Sequence, residues 1–68
     1  MTEVKIETEF IKLDQFLKYE NIVPTGGEAK NAIMDGMIKV NGQVELARGK
    51  KLRPGDKVEA FGETYIII

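Results

Sequence analysis

The stretch VPTGGEAKNAIMDG, Val23 to Gly36, fixes both ends of a helix through local chemistry alone. Pro24 disfavours the helical conformation for Val23, and Thr25-Gly26-Gly27-Glu28 has the T-x-x-E spacing of a capping box. In such a box the Thr25 hydroxyl accepts from the Glu28 amide, and the Glu28 carboxylate reaches back to the Thr25 amide. Ala29, Ala32 and Ile33 form the inward stripe, Lys30 and Asn31 point elsewhere, and Gly36 stands where a left-handed cap is wanted. Upstream, Leu13, Phe16 and Leu17 are spaced i, i+3, i+4, with Asp14, Gln15 and Lys18 on the other side. That predicts a second short amphipathic helix from about Leu13 to Tyr19, ending near Asn21.

The flanking sequence has a different period. Val4, Ile6 and Phe10 fall on alternate positions with Lys5, Glu7 and Glu9 between them, predicting a first strand from Val4 to Phe10. Ile38 and Val40 alternate with Lys39, Asn41-Gly42 is a strong hairpin signal, and Val44 and Leu46 resume the alternation. Pro54-Gly55-Asp56 marks a turn, and Lys57 to Phe61 and Thr64 to Ile68 read as strands joined at Gly62-Glu63. Strand, two helices, then strands, with no repeat or linker, predicts one α+β domain over residues 1–68, a helical pair packed on a small, mostly antiparallel sheet. Leu13, Phe16, Leu17, Ala29, Ala32, Ile33, Met34, Ile38 and Val40 are the expected core.

With 68 residues, this fold removes only about 60% of its unfolded surface from water, so its core is thin. There is no cysteine, histidine or serine. The usual general base, the usual nucleophiles and the common zinc ligands are therefore missing, and neither catalysis nor a metal or other cofactor is expected. Asp14, Asp35 and Asp56 are widely separated in sequence and read as helix and turn formers. The opening MTEVKIETEF lacks the basic region and apolar run of a signal peptide, and no apolar run is long enough to cross a bilayer. A cytoplasmic location without a membrane partner is expected.

The charge is unevenly placed. The formal net charge is -1, yet Lys39, Arg48, Lys50, Lys51, Arg53 and Lys57 fall between residues 39 and 57 against only Glu45 and Asp56. RGKKLR, Arg48 to Arg53, puts four cations into six residues. Exposed charge runs are commonly just solvated loops. Here, however, Arg48 and Arg53 bring guanidinium forks suited to phosphate, and Gly49 lets the backbone approach a ligand. Lys30 and Asn31 lie near a helix start whose free amides favour anions.

These pieces line up with a known family. Lys12-Leu13-Asp14 with Phe16-Leu17, Ala29-Lys30 with Ile33, Gly36, Ile38-Lys39-Val40-Asn41-Gly42 and Pro54-Gly55-Asp56-Lys57-Val58 resemble, in order and spacing, the S-four domain. This is the RNA-binding domain (alpha-L RNA-binding motif) first described in small-subunit ribosomal protein number four. The whole chain looks like the small stand-alone bacterial members. The resemblance implies a non-catalytic module that recognises structured RNA, ribosomal RNA first among candidates, with a role in ribosome assembly or translation. By position it implies Lys12, Lys30, Lys39, Asn41, Arg48, Lys50 and Lys51 as contacts, with Arg53 at the edge and Asn31 beside Lys30. Many members carry arginine where Lys12 and Lys30 stand here, so the planar fork is missing at both places. Gly26 and Gly27 are expected to let the helix start approach another backbone.

The aromatics Phe10, Phe16, Tyr19, Phe61 and Tyr65 are scattered, with no stripe for stacking unpaired bases, so recognition by phosphate and shape is expected. A monomer with no small-molecule substrate is expected. The alternative is a protein-interaction module docking on an acidic partner. RPGDKVEAF has some likeness to small ubiquitin-like sulfur carriers, but Tyr65-Ile66-Ile67-Ile68 offers none of the chemistry of their Gly-Gly tail.

Overall fold

A computed structural model describes residues 1–68. Helix α1 spans Leu13–Tyr19 and α2 spans Gly26–Met34. Thr25 is extended, and its hydroxyl accepts from the Glu28 amide at 3.2 Å. The Glu28 carboxylate makes no return bond, so only the first half of the expected capping box forms. Gly36, at φ +75, closes α2: its amide donates to the Ile33 carbonyl and the Met37 amide to the Ala32 carbonyl, both at 3.1 Å. This is the paired bonding of a Schellman cap. Asn21, at φ 57, ends α1 in the same way, its amide bonding the Lys18 carbonyl at 3.0 Å and the Ile22 amide bonding the Leu17 carbonyl at 2.9 Å.

Seven strands surround the helices: β1 Thr2–Val4, β2 Ile11–Lys12, β3 Ile38–Val40, β4 Gln43–Val44, β5 Lys51–Leu52, β6 Lys57–Ala60 and β7 Glu63–Ile67. Five form one sheet in the order β1-β7-β6-β3-β4, antiparallel except for the parallel β1–β7 pair, while β2 and β5 form a separate antiparallel ribbon. The architecture is α+β, with both helices on one face of the sheet. Asn41 (φ 52) and Gly42 (φ 84) make the left-handed two-residue turn expected of Asn-Gly between β3 and β4.

The first strand differs from the sequence expectation. It ends at Val4, and after one further bond, Ile6 amide to Ile68 carbonyl at 3.2 Å, the partner strand has run out and the chain bends through Glu7–Glu9. Ile6 and Phe10 are both half-buried, Ile6 against the core, but the backbone between them has no neighbour to pair with. The β6–β7 turn also shifts: its central residues are Phe61 (φ 51) and Gly62 (φ 82), not Gly62-Glu63. Strand β4 stops at Val44, leaving Leu46 exposed beyond the edge of the sheet.

Fourteen apolar residues make the core, including Leu13, Phe16, Leu17, Ile33, Ile38, Leu52, Val58 and Ile67 at 0% exposure. Full burial of each such large side chain contributes about 1.5–3 kcal/mol, so few can be lost from a core this size. The Phe16 ring meets the half-buried Tyr65 edge-on at 5.7 Å, fastening α1 to β7. Of the residues expected inside, only Met34 is out, at 60% exposure. It is five residues from Ala29 along α2, which turns it well away from the Ala29–Ala32–Ile33 stripe.

Candidate functional site

The residue before α1, Lys12, has no side-chain acceptor with which to cap the helix. The basic loop supplies the acceptors from its main chain: the Leu13 amide donates to the Lys50 carbonyl at 2.8 Å and the Asp14 amide to the Arg48 carbonyl at 3.1 Å. Buried Leu52 secures the next residues, pairing with Ile11 in the β2–β5 ribbon and setting Lys51 directly opposite Lys12. Helix capping and strand pairing together bring Lys12, Arg48, Lys50 and Lys51 to one place, although 36 positions separate Lys12 from Arg48 in the sequence.

Phe10 extends this cluster. The Lys51 ammonium lies 4.9 Å from the centre of its ring and the Arg53 guanidinium 5.7 Å, so the electron-rich ring attracts both cations. Arg53 opens the Pro54-Gly55 turn, which Asp56 closes by accepting from the Arg53 amide at 2.9 Å. The same carboxylate accepts from the Asn41 side-chain amide at 3.1 Å, and the Asn41 oxygen accepts from the Lys57 amide at 3.0 Å. Asn41 thus ties the β3–β4 turn to the Arg53–Asp56 turn, with both ends of its amide engaged inside the protein. Partial burial works against ionisation of Asp56, but the Arg53 amide, the Asn41 amide and the charges of Lys50 and Arg53 outweigh it, holding its carboxyl below the ordinary value of 3.8. That field places Lys50 and Arg53 around one carboxylate, which offsets part of their mutual repulsion.

The other sequence-predicted residues lie elsewhere. On α2, Lys30 and Asn31 are exposed. Gly26, one turn before Lys30, borders a shallow polar cleft with Asp14, Gln15 and Lys18 of α1, which connects the α2 flank to the helix end that carries the basic loop. Gly26 has nothing within 4 Å of a notional Cβ, and Gly27 meets only the Thr25 hydroxyl at 3.9 Å. No backbone of this chain approaches them, contrary to expectation, and the space above the start of α2 is open. Lys39 sits between buried Ile38 and Val40 and opposite Glu59, so it faces outward on the side of the sheet away from both helices.

Two members of the site were not foreseen. Lys18 lines the polar cleft, and its i+4 spacing from Asp14 on the outer flank of α1 was the available signal. Phe10 stands in the sequence as the last residue of the expected first strand, and nothing local indicates that distant Lys51 and Arg53 lie over it. Beyond Phe10 lies a second cleft of ≈ 530 Å³ lined by Lys5, Ile6, Glu7, Phe10, Ile11 and Tyr19, among others, where one cation and one carboxylate balance. No group of three or more histidine, cysteine, aspartate or glutamate residues could hold a metal ion, and no helix is long and apolar enough to cross a membrane.

Comparison with known proteins identifies the family. The S4 domain family model matches residues 4–68. A Bacillus subtilis (strain 168) protein, probable ribosome maturation protein RlbA, is 36% identical over 66 residues, covering 94% of this chain and 93% of its own. The solution structure of YbcJ from E. coli, described as revealing an αL motif involved in RNA binding, is similar with a TM-score of 0.74 and 29% identity, over 100% of this chain and 87% of that one. The 30S ribosomal protein S4e from Thermoplasma acidophilum shares the fold at a TM-score of 0.66 and 20% identity, over 88% of this chain and 32% of its own. A matched model spanning nearly every residue, with a curated relative of the same length, settles the family: this chain belongs to the S4 domain family.

Proposed function

We propose that the chain is a single non-catalytic module that binds structured RNA, ribosomal RNA during ribosome maturation, through phosphate and ribose contacts. The binding surface is formed by Lys12, Arg48, Lys50, Lys51 and Arg53, and extends across the polar cleft to Lys18, Lys30 and Asn31. The observation that carries this reading is the capping of α1 by the carbonyls of Lys50 and Arg48, which fixes a cation-rich loop rigidly beside Lys12. Phosphates reward this arrangement because the cations are already held together before binding. The Phe10 ring is covered by its two cations, and Tyr19 is the only strongly exposed aromatic near α1, so successive bases have no stacking platform. Recognition therefore rests on the shape of folded RNA. The relatives' ribosomal and RNA-binding descriptions support the same partner. The module acts as a monomer in the cytoplasm and performs no chemistry, in keeping with its lack of histidine, cysteine and serine.

The test is binding of a ribosomal RNA fragment as a function of salt. With about four phosphates neutralised, log affinity falls against log salt with a slope of roughly -3 to -4, and replacing Arg48, Lys50 and Lys51 together with alanine flattens it by roughly 2 to 3. Alanine keeps the two carbonyls that cap α1, so the triple variant folds and loses the loop's charge together with the Lys51 contact on Phe10. An unaltered slope in a folded triple variant overturns the assignment.

A further inference from the structure

The cleft beyond Phe10 follows from where the first strand stops. After Ile6 the chain leaves the sheet and bends through Glu7–Glu9, and the Thr8 hydroxyl fastens that bend by donating to the Phe10 carbonyl at 2.8 Å. The space of ≈ 530 Å³ that opens is walled by this segment and by Gln15 and Tyr19 of α1, which share one flank of the helix at i, i+4. Half-buried Ile6, Phe10 and Ile11 make part of the lining apolar. Tyr19, at 63% exposure, presents its ring to whatever enters. The exposed Gln15 side-chain amide offers a donor and an acceptor on the same wall.

Two residues join this cleft to the basic surface. Phe10 lines it and is also the ring that attracts Lys51 and Arg53, so two cations of the phosphate-binding group stand at its border. Gln15 lines both this cleft and the polar one shared by Asp14, Lys18 and Gly26. Within the cleft itself the charges of Lys5 and Glu7 cancel. A neutral, partly apolar recess bordered by cations has the complementarity of a single nucleotide, whose flat, uncharged base is flanked by phosphates. Unpaired bases that are splayed from a folded RNA are commonly taken up on an aromatic ring, and one base needs only one such ring.

We infer that the cleft between the Glu7–Phe10 bend and the Gln15–Tyr19 flank of α1 receives one unpaired nucleobase, stacked on Tyr19, while Lys51 and Arg53 hold the adjoining phosphates. The inference rests on the RNA-binding reading and adds to it a preference for RNA that offers a bulged nucleotide, which is itself a feature of shape. A bulged base is already unpaired, so it enters at little cost in lost pairing.

The probes are two RNA hairpins that differ at one bulged position, which carries adenosine in the first and an abasic ribose in the second, so that both have the same number of phosphates. Each is titrated into the full chain over a range of salt. The expected result is that the adenosine hairpin binds about tenfold more tightly at every salt concentration, with the same slope for both. Tyr19→Ala, at an exposed position, removes that advantage and leaves the abasic hairpin bound as before, while Tyr19→Phe, which keeps a ring to stack on, restores it. Equal affinity of the parent protein for the two hairpins at a slope of roughly -3 to -4 overturns the cleft assignment, leaves RNA binding standing and gives the cleft to some other kind of ligand. An advantage that survives Tyr19→Ala also overturns it. Binding of neither hairpin in a salt-dependent manner overturns the RNA-binding reading and this inference together.

Discussion

The pairing of Lys12 with Lys51 makes an unusual combination of effects measurable at one position. Like charges directly opposite on antiparallel strands destabilise the pair, and opposite charges stabilise it, each by roughly 0.2–1 kcal/mol. Lys12 also immediately precedes α1, where a negative charge gains roughly 0.3–1 kcal/mol from the helix dipole and a positive one loses by it. Lys12→Glu reverses both terms while leaving the Lys51 and Arg53 contacts with Phe10 in place. After allowance for solvent exposure, a stabilisation of about 1 kcal/mol is expected, or about 4–8 °C in Tm for a domain this small. Thermal unfolding followed by circular dichroism in low salt measures it. Lys12→Gln, which removes the repulsion without adding an attraction, should fall about midway. The gain should shrink towards zero near 1 M salt, where screening acts over about 3 Å. RNA affinity should move the other way, with the salt slope reduced by about 0.9 for the lost phosphate contact and a further weakening from the added repulsion. A Lys12→Glu protein less stable than the parent in low salt, or one that binds RNA unchanged, refutes the claim that these two lysines are held together for a polyanion.

The clamp between the two turns gives two further outcomes. Asn41→Ala loses two exposed hydrogen bonds, roughly 0.5–1.5 kcal/mol each, and places a Cβ in the left-handed region without a polar side chain to compensate. A loss of about 2 kcal/mol is expected in urea unfolding, against about 1 kcal/mol for Asn41→Gly, which keeps the backbone geometry, and equal losses would exclude the conformational part of the account. For Asp56, whose carboxyl titrates below its ordinary value in the folded protein, the stabilisation is full above 3.8 and is lost as the pH falls through the lower folded value. The difference in urea midpoint between the parent and Asp56→Asn should therefore be largest near neutrality and shrink as the pH falls below 3.8, and a constant difference would show that the charge plays no part.

Both helices are legible in the sequence because their determinants are local. Thr25 and Gly36 act within one turn of the ends they define, and Leu13, Phe16 and Leu17 need only the helix period to share a face. The Asn41-Gly42 hairpin is legible for the same reason. The first strand is not, because its extent is set by β7, some sixty positions away, and alternation at Ile6 and Phe10 records an inward phase without recording whether a partner strand is present. The Phe61-Gly62 turn was misplaced by one residue because Phe61 contradicts the local rule for a left-handed position.

The candidate site shows how far a charge run can be read. Arg48 to Arg53 identifies the loop, but the run itself does not show which distant residue is held against it. Lys12 joins the loop because α1 lacks a side-chain cap and takes main-chain acceptors from Arg48 and Lys50, a long-range consequence of one missing hydroxyl or carboxylate. Lys39 leaves the group through strand parity. The alternation that buries Ile38 and Val40 necessarily turns Lys39 to the outer face, so the period that identifies β3 as a strand also removes its cation from the side where the helices lie. The same parity turns Val44, opposite Lys39 on the edge strand, to the outer face. Main-chain capping thus gathers the loop's cations beside Lys12 while strand alternation turns Lys39 away, a division that net charge, composition and the basic run do not reveal.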